Sequence, residues 1–348
     1  MKFFVFTFMT IFCLLPATIK AQNAPNTPND SIISNIFEQW KTKYVKGKTA
    51  NIVNSSNSNA AFERLKKLLM SISKQNIRNG AKKSLFKMAL NIRATDDETT
   101  RRKWNGLIST SYGLIDQVQT KALPMSFPPA PKSWDWRQQG LVTNVEDQGY
   151  YCGSCYAFAS SCALEGQVAK KYGILKSLSK QQIVDCSKPY GNFGCDGGYI
   201  DKSFNYTYRN PGLFAEADYP YAGIDQNCNL TSNFSKSFLV NYNFIQGDEE
   251  NLKRALYAIG PLSVGMIGSF ESFYFYSEGI YDDATCTGKI DHAVCLVGYG
   301  TDNTTSPPTD YWIVKNSWSS DWGENGYFRI LRGSNMCNIS TYVAYPII

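Results

Sequence analysis

The stretch Gln148-Gly-Tyr-Tyr-Cys-Gly-Ser-Cys-Tyr-Ala-Phe158 places two cysteines, Cys152 and Cys155, three residues apart. A helical pattern begins at Cys155 and stops before Gly173. The N-terminus of a helix lowers the pKa of a thiol that lies on it, and the thiolate is the reactive form of cysteine. Cys155 is therefore a candidate nucleophile, although a redox pair or half of a zinc site has the same spacing.

The chain has one histidine, His292, in the strand-like run Asp291-His-Ala-Val-Cys-Leu-Val-Gly-Tyr-Gly300. A nucleophilic thiol needs a base, and that base needs a neighbour that orients its ring. Any mechanism that uses histidine must therefore use His292. Asn316 follows the next strand-like run, and its side-chain amide is suited to hold the second ring nitrogen.

The composition is that of a globular protein. The 348 residues are 43% hydrophobic and 18% charged, which is enough for a substantial core and more than one folding unit. Residues 1–21 have the features of a secretory signal peptide: Lys2, an apolar run over residues 3–15, and Ala21 at the end. That run is too short to span a bilayer, so we expect an oxidising compartment and no membrane span.

Cysteine and charge divide the chain into two parts. Residues 22–125 contain no cysteine and carry 17 Lys and Arg against 7 Asp and Glu. Residues 126–348 carry 16 against 22 and contain nine cysteines, so at least one cysteine is unpaired or intermolecular. A basic and an acidic segment in one chain can bind each other. The Pro-rich run at 123–131 has the character of a cleavable linker between them.

The hydrophobic periodicity changes along the chain. Helical patterns cover residues 32–44, 62–72 and 155–172, and Ser179-Lys-Gln-Gln182 is a capping box for a short fourth helix. Strand-like runs dominate from about residue 238: Phe238–Phe244, Leu262–Met266, Ala293–Tyr299, Tyr311–Lys315 and Tyr327–Leu331. Helices followed by strands predict an α+β protein with two unlike lobes.

Together these motifs resemble the papain-like cysteine proteases, in particular those of the cathepsin L type with an inhibitory propeptide. Cys155, His292 and Asn316 fall on the catalytic positions of that family, and Gln148 falls on its oxyanion-hole position. Asp135-Trp136-Arg137 is similar to the N-terminal motif of the mature enzymes, and Trp318 and Trp322–Tyr327 to the segment that shields the asparagine. The resemblance implies a signal peptide at 1–21, a helical inhibitory propeptide at 22–125 and a protease domain at 126–348. It also implies the papain-like fold, with a helical left lobe and a β-barrel-like right lobe.

The resemblance implies pairings and contacts as well. The expected disulfides are Cys152–Cys195, Cys186–Cys228 and Cys286–Cys337. Cys155, Cys162 and Cys295 then remain as thiols, the last two in apolar contexts where small buried thiols are common. The expected substrate-binding residues are Gly197, Gly198, Tyr199, Gly265, Ile290, Asp291, Ala293, Trp318 and Tyr342. Gly265 and Tyr342 differ in size from the usual residues, so we expect an apolar main pocket with an altered floor.

The sequence departs from the family pattern in two places. Six residues instead of five separate Gln148 from Cys155, and the extra tyrosine, Tyr150 or Tyr151, could displace the Gln148 amide. Losing one oxyanion donor costs about a hundredfold in rate. The propeptide pattern is matched by Phe37, Trp40, Tyr44, Ile72, Asn76 and Asn91, whereas Leu65, Leu68, Arg93 and Thr95 depart from it.

The function implied is that of a secreted or lysosomal cysteine endopeptidase, made as a zymogen, that needs no metal or organic cofactor. Its expected partners are protein or peptide substrates, its own propeptide and cystatin-type inhibitors. We expect a monomer that binds no nucleic acid. Two alternatives remain open: a catalytically impaired homologue that binds peptides, and a thiol–disulfide oxidoreductase in which Cys152 and Cys155 pair reversibly.

Overall fold

A computed structural model describes residues 30–45, 58–82, 85–108, 127–210, 212–230, 236–237 and 239–348. The predicted signal peptide and residues 123–126 of the predicted linker lie outside these residues. The helices are α1 (Asp30–Tyr44), α2 (Ser58–Lys82), α3 (Glu98–Arg102), α4 (Cys155–Tyr172), α5 (Lys180–Cys186), α6 (Ile200–Arg209), α7 (Glu249–Ile259) and α8 (Glu271–Tyr274). The strands are β1 (Phe86–Met88), β2 (Trp134–Asp135), β3 (Leu213–Phe214), β4 (Lys236–Ser237), β5 (Asn241–Phe244), β6 (Leu262–Met266), β7 (Tyr276–Tyr281), β8 (His292–Asp302), β9 (Thr309–Lys315), β10 (Tyr327–Leu331) and β11 (Tyr342–Ile347).

Helix α4 is the central element, and most of its residues are buried. It ends where predicted, because Gly173 adopts φ 70°, a left-handed conformation that glycine tolerates. Helix α5 begins after Ser179, whose hydroxyl accepts from the Gln182 N–H at 2.9 Å. The second half of the predicted capping box is absent. Gln182 Oε1 instead accepts from the Phe214 N–H at 2.7 Å, and the Ser179 N–H donates to the Phe214 carbonyl at 2.9 Å.

Nine of the described strands form one sheet in the order β1-β7-β10-β9-β8-β6-β11-β5, with β2 added at β8, and β1 comes from the N-terminal part of the chain. This confirms the α+β fold. Strands β6 and β10 have the predicted bounds. Helix α7 was not predicted; it is amphipathic and begins after Asp248, whose carboxylate accepts from the Asn251 N–H at 2.8 Å. No helix in the described part of the chain is long and apolar enough to cross a membrane.

The N-terminal segment, meaning the described residues up to 108, docks on the sheet. Strand β1 pairs antiparallel with β7, with Phe86 opposite Gly279. Asn76 joins α2 to β1 through two hydrogen bonds. Its side-chain NH₂ group donates to the Met88 carbonyl at 2.9 Å, and its side-chain oxygen accepts from the Met88 N–H at 3.0 Å. The Asn91 amide then donates to the Tyr274 carbonyl at 2.9 Å. Both asparagines that match the propeptide pattern therefore fix the path of the backbone.

The described residues form four disulfides. The three expected pairs are present: Cys152–Cys195, Cys186–Cys228 and Cys286–Cys337. The prediction that Cys162 and Cys295 are free thiols was wrong, because they are bonded to each other. Helix α4 packs on β8, which brings their Cα atoms to 6.3 Å. Among the described residues, Cys155 is left as the free cysteine.

Candidate active site

Cys155 is the first residue of α4 and is fully buried. Its Sγ accepts from the Ala293 N–H at 3.4 Å, which places the thiol beside the start of β8. Burial raises the pKa of Cys155 to about 12, although hydrogen bonds from the backbone of Ala293 and Gly106 oppose the rise. In this form of the protein the thiol is therefore neutral at physiological pH.

His292 opens strand β8 and is fully buried. Its Nε2 lies 2.9 Å from Asn316 Oδ1, and the Trp318 ring stacks on the imidazole with 4.6 Å between ring centroids. Burial lowers the pKa of His292 to about 4, although the hydrogen bond with Asn316 opposes the fall. The imidazole is therefore also neutral. Its hydrogen bond with Asn316 holds the ring in a defined orientation.

Gln148 reaches the same site despite the extra residue before Cys155. Its Oε1 accepts from the Ser317 hydroxyl at 2.6 Å. Its Nε2 donates to the carbonyls of Cys152 at 3.1 Å and Trp104 at 3.2 Å. The chain turns at Gly149, which has φ 78°, and the following Tyr150 packs edge-on to the Trp104 ring. Despite the insertion, the Gln148 amide is therefore held by three hydrogen bonds, one of them to the carbonyl of Cys152 at the end of the loop.

Residues 104–108 of the N-terminal segment lie across the nucleophile. The Gly106 carbonyl accepts from the Gly198 N–H at 2.8 Å, and the Ile108 N–H donates to the Gly198 carbonyl at 3.0 Å. The Leu107 N–H donates to the Asp291 carbonyl at 3.0 Å. A Cβ on Gly106 would lie 1.7 Å from the Gly153 carbonyl oxygen, so this approach requires glycine.

Leu107 fills a pocket that three neighbouring strands build. Gly265 on β6 stands opposite Tyr342 on β11 and Ala293 on β8. A Cβ on Gly265 would lie 2.9 Å from Leu107 Cδ2 and 3.1 Å from Ile290 Cδ1, so the missing side chain makes room for the leucine. The pocket is apolar, as its lining by Ile290 and Ala293 indicates.

The floor of this pocket carries one polar contact. The Tyr342 hydroxyl donates to Asp201 Oδ1 at 2.8 Å and accepts from the Asp201 N–H at 3.1 Å. Burial and the nearby Asp201 carboxylate raise the pKa of Tyr342, so its hydroxyl stays protonated. Asp201 could not be predicted from any local motif, because it reaches Tyr342 only through the packing of α6 near β11.

The structure brings most of the predicted substrate-binding residues to the covered cleft. A Cβ on Gly197 would lie 2.7 Å from the Gly106 carbonyl oxygen, and Gly198 bonds the covering segment through its backbone. Tyr199 is the exception. It precedes α6, its N–H donates to Asn192 Oδ1, and the backbone contacts on this wall come from Gly198.

The oxidoreductase alternative is contradicted, because Cys152 is bonded to Cys195 and Cys155 has no disulfide partner. A zinc site at these cysteines has no support either. No group of three or more His, Cys, Asp or Glu residues in the described ranges is arranged to hold a metal ion.

Residues 130–347 match the family model described as papain family cysteine protease. Cathepsin L of Sarcophaga peregrina is 44% identical over 254 residues, which make up 71% of this chain and 70% of that protein. Cathepsin L1 of Drosophila melanogaster is 42% identical over 286 residues, or 80% of this chain and 76% of that protein. Among solved structures, digestive procathepsin L 3 of Tenebrio molitor larval midgut superposes with a TM-score of 0.80 at 32% identity, over 91% of this chain and 99% of that one.

Proposed function

This chain belongs to the papain family of cysteine proteases, and we propose that its Cys155 is the nucleophile of a cysteine endopeptidase made as a zymogen. The observation that carries the proposal is the convergence of one free thiol, one oriented imidazole and one fixed amide donor. Cys155 begins a helix, His292 is held by Asn316, and Gln148 points its Nε2 toward the site. The protein is a hydrolase in the same class as the cathepsins it resembles.

The first half of the proposed reaction is acylation. His292 takes the proton of the Cys155 thiol, the resulting thiolate attacks the carbonyl carbon of the scissile peptide bond, and Gln148 Nε2 and the Cys155 N–H donate to the oxygen that becomes negative. The carbon–nitrogen bond then breaks as His292 protonates the leaving amine. In the zymogen, the Trp104 carbonyl accepts from Gln148 Nε2, so this donor is already suited to receive a carbonyl oxygen.

The second half is deacylation. His292 takes a proton from water as the water oxygen attacks the thioester, and the carbon–sulfur bond breaks to release the acid and regenerate Cys155. Asn316 acts on His292 by holding its Nε2, and the stacked Trp318 ring shields that hydrogen bond from water. No step of this sequence requires a metal or an organic cofactor.

We propose that residues 22–125 are the inhibitory propeptide and residues 126–348 the protease domain. Latency then has two sources. Residues 104–108 cover the nucleophile, and the burial they cause suppresses the thiolate, as the raised pKa of Cys155 indicates. The basic charge of the propeptide supports this docking, most directly through the buried guanidinium of Arg93, which pairs with Asp147 at 2.8 Å.

The substrates are proteins or peptides, and we propose that the pocket filled by Leu107 selects an apolar side chain at P2, the second residue before the scissile bond. The secretory pathway, ending in a lysosome or outside the cell, accommodates the four disulfides. We further propose that the active enzyme is a monomer and that cystatin-type inhibitors bind the cleft once the propeptide has left it.

The test is activation of the purified full-length protein in acid with a reductant, followed by assay on peptides that differ at P2. The expected result is hydrolysis with a preference for apolar P2 residues, and no hydrolysis by the Cys155→Ala variant. Preference for an acidic or basic P2 residue would overturn the pocket assignment. A released, folded domain that binds the peptides without cleaving them would instead identify the catalytically impaired alternative.

A further inference from the structure

Arg93 is a fully buried guanidinium in a position where the propeptide departs from the family pattern. Its Cζ lies 3.8 Å from the ring centroid of Trp104 and 4.9 Å from that of Tyr150. Its Nη2 donates to Asp147 Oδ1 at 2.8 Å. A buried charge is costly unless it is compensated, and here the compensation comes from one carboxylate and two aromatic faces. Its Nε and Nη1 have no hydrogen-bond partner among the described residues.

Two of these three groups belong to the protease domain. Asp147 Oδ1 also accepts from the Gly149 N–H at 2.9 Å, and the Asp147 backbone forms a bridge to Trp318. The carboxylate is therefore positioned by its own loop and does not depend on Arg93. Tyr150 belongs to the same loop, which is one residue longer than the family pattern. The longer loop after Gln148 thus supplies the aromatic ring against which the unusual Arg93 packs.

The contacts of residues 104–108, which cover the nucleophile, show where Asp147 and Tyr150 lie relative to the cleft. Leu107 lies in the apolar pocket on one side of Cys155, whereas the Trp104 carbonyl lies at Gln148. The Trp104 ring packs against Trp318 with 5.7 Å between centroids. Arg93 lies against the Trp104 ring, so Asp147 and Tyr150 lie on the far side of the nucleophile from the Leu107 pocket. In a substrate whose P2 side chain fills that pocket, this is the side of the leaving group.

Release of the propeptide removes Arg93 and Trp104 together. It leaves the Asp147 carboxylate without its ion-pair partner and one face of the Tyr150 ring uncovered. A carboxylate beside an aromatic face is suited to a guanidinium, which forms planar hydrogen bonds and stacks on rings. Lysine fits less well, because its ammonium is a compact and strongly hydrated charge.

We propose that Asp147 and Tyr150 form a binding site for an arginine side chain beside the cleft. Arg93 fills this site in the zymogen, and an arginine on the leaving-group side of a substrate fills it in the released enzyme. The zymogen half of the proposal requires only that residues 22–125 dock as described. The substrate half rests on the proposed endopeptidase function.

The zymogen half is tested in the full-length chain carrying Cys155→Ala, which prevents self-processing. Arg93→Met, Asp147→Asn and the double variant are compared by the rate at which an added, unrelated protease degrades the propeptide at pH 7. Asp147→Asn keeps an oxygen acceptor for Gly149 and removes only the charge. We expect each single variant to be degraded about tenfold faster, and the double variant little faster than either, because both remove one interaction. Effects that multiply in the double variant would overturn the proposal.

The matched control is the pair Lys87 and Glu278, which also joins the propeptide to the protease domain at 2.7 Å but has both side chains more than half exposed. Exposed ion pairs contribute little to stability. Lys87→Met and Glu278→Gln should therefore leave the degradation rate within about twofold. If these variants accelerate degradation as much as Asp147→Asn does, the effect is general electrostatics and the proposed site is refuted.

The substrate half is tested with the activated enzyme on quenched peptides that share a P2 leucine and carry Arg, Lys or Met at each of the first three positions after the scissile bond. The measured quantity is the ratio of kcat/KM for Arg to that for Met, taken within each variant so that general losses cancel. We expect a ratio of about five or more at one position, retained in Tyr150→Phe and lost in Asp147→Asn and Tyr150→Leu. A ratio near one, or a ratio unchanged by Asp147→Asn, would overturn the proposal. An inactive enzyme would instead count against the proposed function, and the Cys155→Ala assay would still decide the zymogen half.

Discussion

The disulfide between Cys162 and Cys295 joins the helix that begins with the nucleophile to the strand that begins with the base. Cys162 lies two helical turns after Cys155, and Cys295 lies three residues after His292. The bond connects the helical lobe to the sheet, whereas the Cys152–Cys195 and Cys186–Cys228 bonds lie within the helical lobe. It therefore constrains the distance between the two elements on which the proposed chemistry depends.

Removing this disulfide should destabilise the protein. The bond joins residues 133 positions apart, and a cross-link over so long a loop restricts the unfolded chain strongly. We expect Cys162→Ala/Cys295→Ala, made in the Cys155→Ala zymogen, to lower the free energy of unfolding by about 2–5 kcal/mol. Urea denaturation without reductant measures the change against the Cys155→Ala parent. An unchanged midpoint would mean that the two thiols are not bonded in solution.

This pairing could not be predicted from the sequence. An odd number of mature cysteines shows that at least one is unpaired, but one free thiol and three are equally compatible with nine. Cys162 lies in a buried helix and Cys295 in a buried strand, and both contexts are typical of small apolar thiols. The distance between them depends on how α4 packs on β8, which no local pattern encodes.

The pocket that holds Leu107 gives a second prediction. A Cβ on Gly265 would lie 2.9 Å from Leu107 Cδ2 and 3.0 Å from the Tyr342 ring. Gly265→Val should therefore shrink the pocket and weaken the docking of the propeptide. We expect kcat/KM for a P2 leucine to fall about tenfold relative to a P2 alanine, since one methylene group in an apolar pocket is worth that much. The ratio is measured on paired peptides, and a ratio that stays at the wild-type value would contradict this description of the pocket.

The lowered pKa of His292 predicts how the stability of the folded zymogen changes in acid. Burial under the propeptide lowers its pKa from the ordinary 6.5 to about 4. A group with a lowered pKa stabilises the folded zymogen above pH 6.5, and that contribution is lost as the pH falls toward 4, because the unfolded state takes up the proton first. The active site itself therefore senses acid, although residues 22–125 contain no histidine.

The measurement compares the Cys155→Ala zymogen with Cys155→Ala/His292→Gln by urea denaturation between pH 4 and pH 7.5. Glutamine does not titrate, so the double variant should lose less stability on acidification. The difference should amount to about 3 kcal/mol over this range. Parallel pH profiles for the two proteins would rule out His292 as an acid sensor.

The carboxyl of Asp96 changes the stability of the folded zymogen with pH in the opposite direction from His292. Burial raises the pKa of its carboxyl from 3.8 to about 7, despite the opposing charges of Arg93 and Arg101. A carboxyl with a raised pKa stabilises the folded zymogen below pH 3.8, and this contribution is lost as the pH rises through about 7. Asp96→Asn mimics the protonated form at every pH. It should raise the free energy of unfolding by about 2–4 kcal/mol at pH 8 and leave it unchanged below pH 3.8.

The same urea series, carried out on the Cys155→Ala parent with and without Asp96→Asn, checks the sign. Asp97→Asn is a suitable control, because Asp97 is the neighbouring carboxyl but is exposed and its pKa is lowered by hydrogen bonds to Thr100. That variant should lose stability at pH 8. A loss of similar size in Asp96→Asn would show that its carboxylate is stabilising there.

The candidate site shows how far sequence reasoning extends. The motifs around Cys155, His292 and Asn316 identified residues that the structure brings together, because each motif encodes both its local element and its chemistry. The extra residue after Gln148 and the unusual Arg93 were visible as separate anomalies. Their relationship was not, since 56 positions separate Arg93 from Gly149 and only the docking of the propeptide brings Arg93 against Tyr150. Helix α7 was missed because it lies between short strand-like runs and is itself short.

The single histidine has a practical consequence for spectroscopy. His292 is the only imidazole in the chain, so a proton NMR spectrum of the protein contains one set of imidazole ring signals and needs no assignment. The Trp318 ring stacked at 4.6 Å places those protons in its ring-current field, which shifts them away from their usual positions. Loss of the propeptide, titration of the base and inhibitor binding should each move the same resonance. The ring resonances of His292 therefore report directly on the state of the active site.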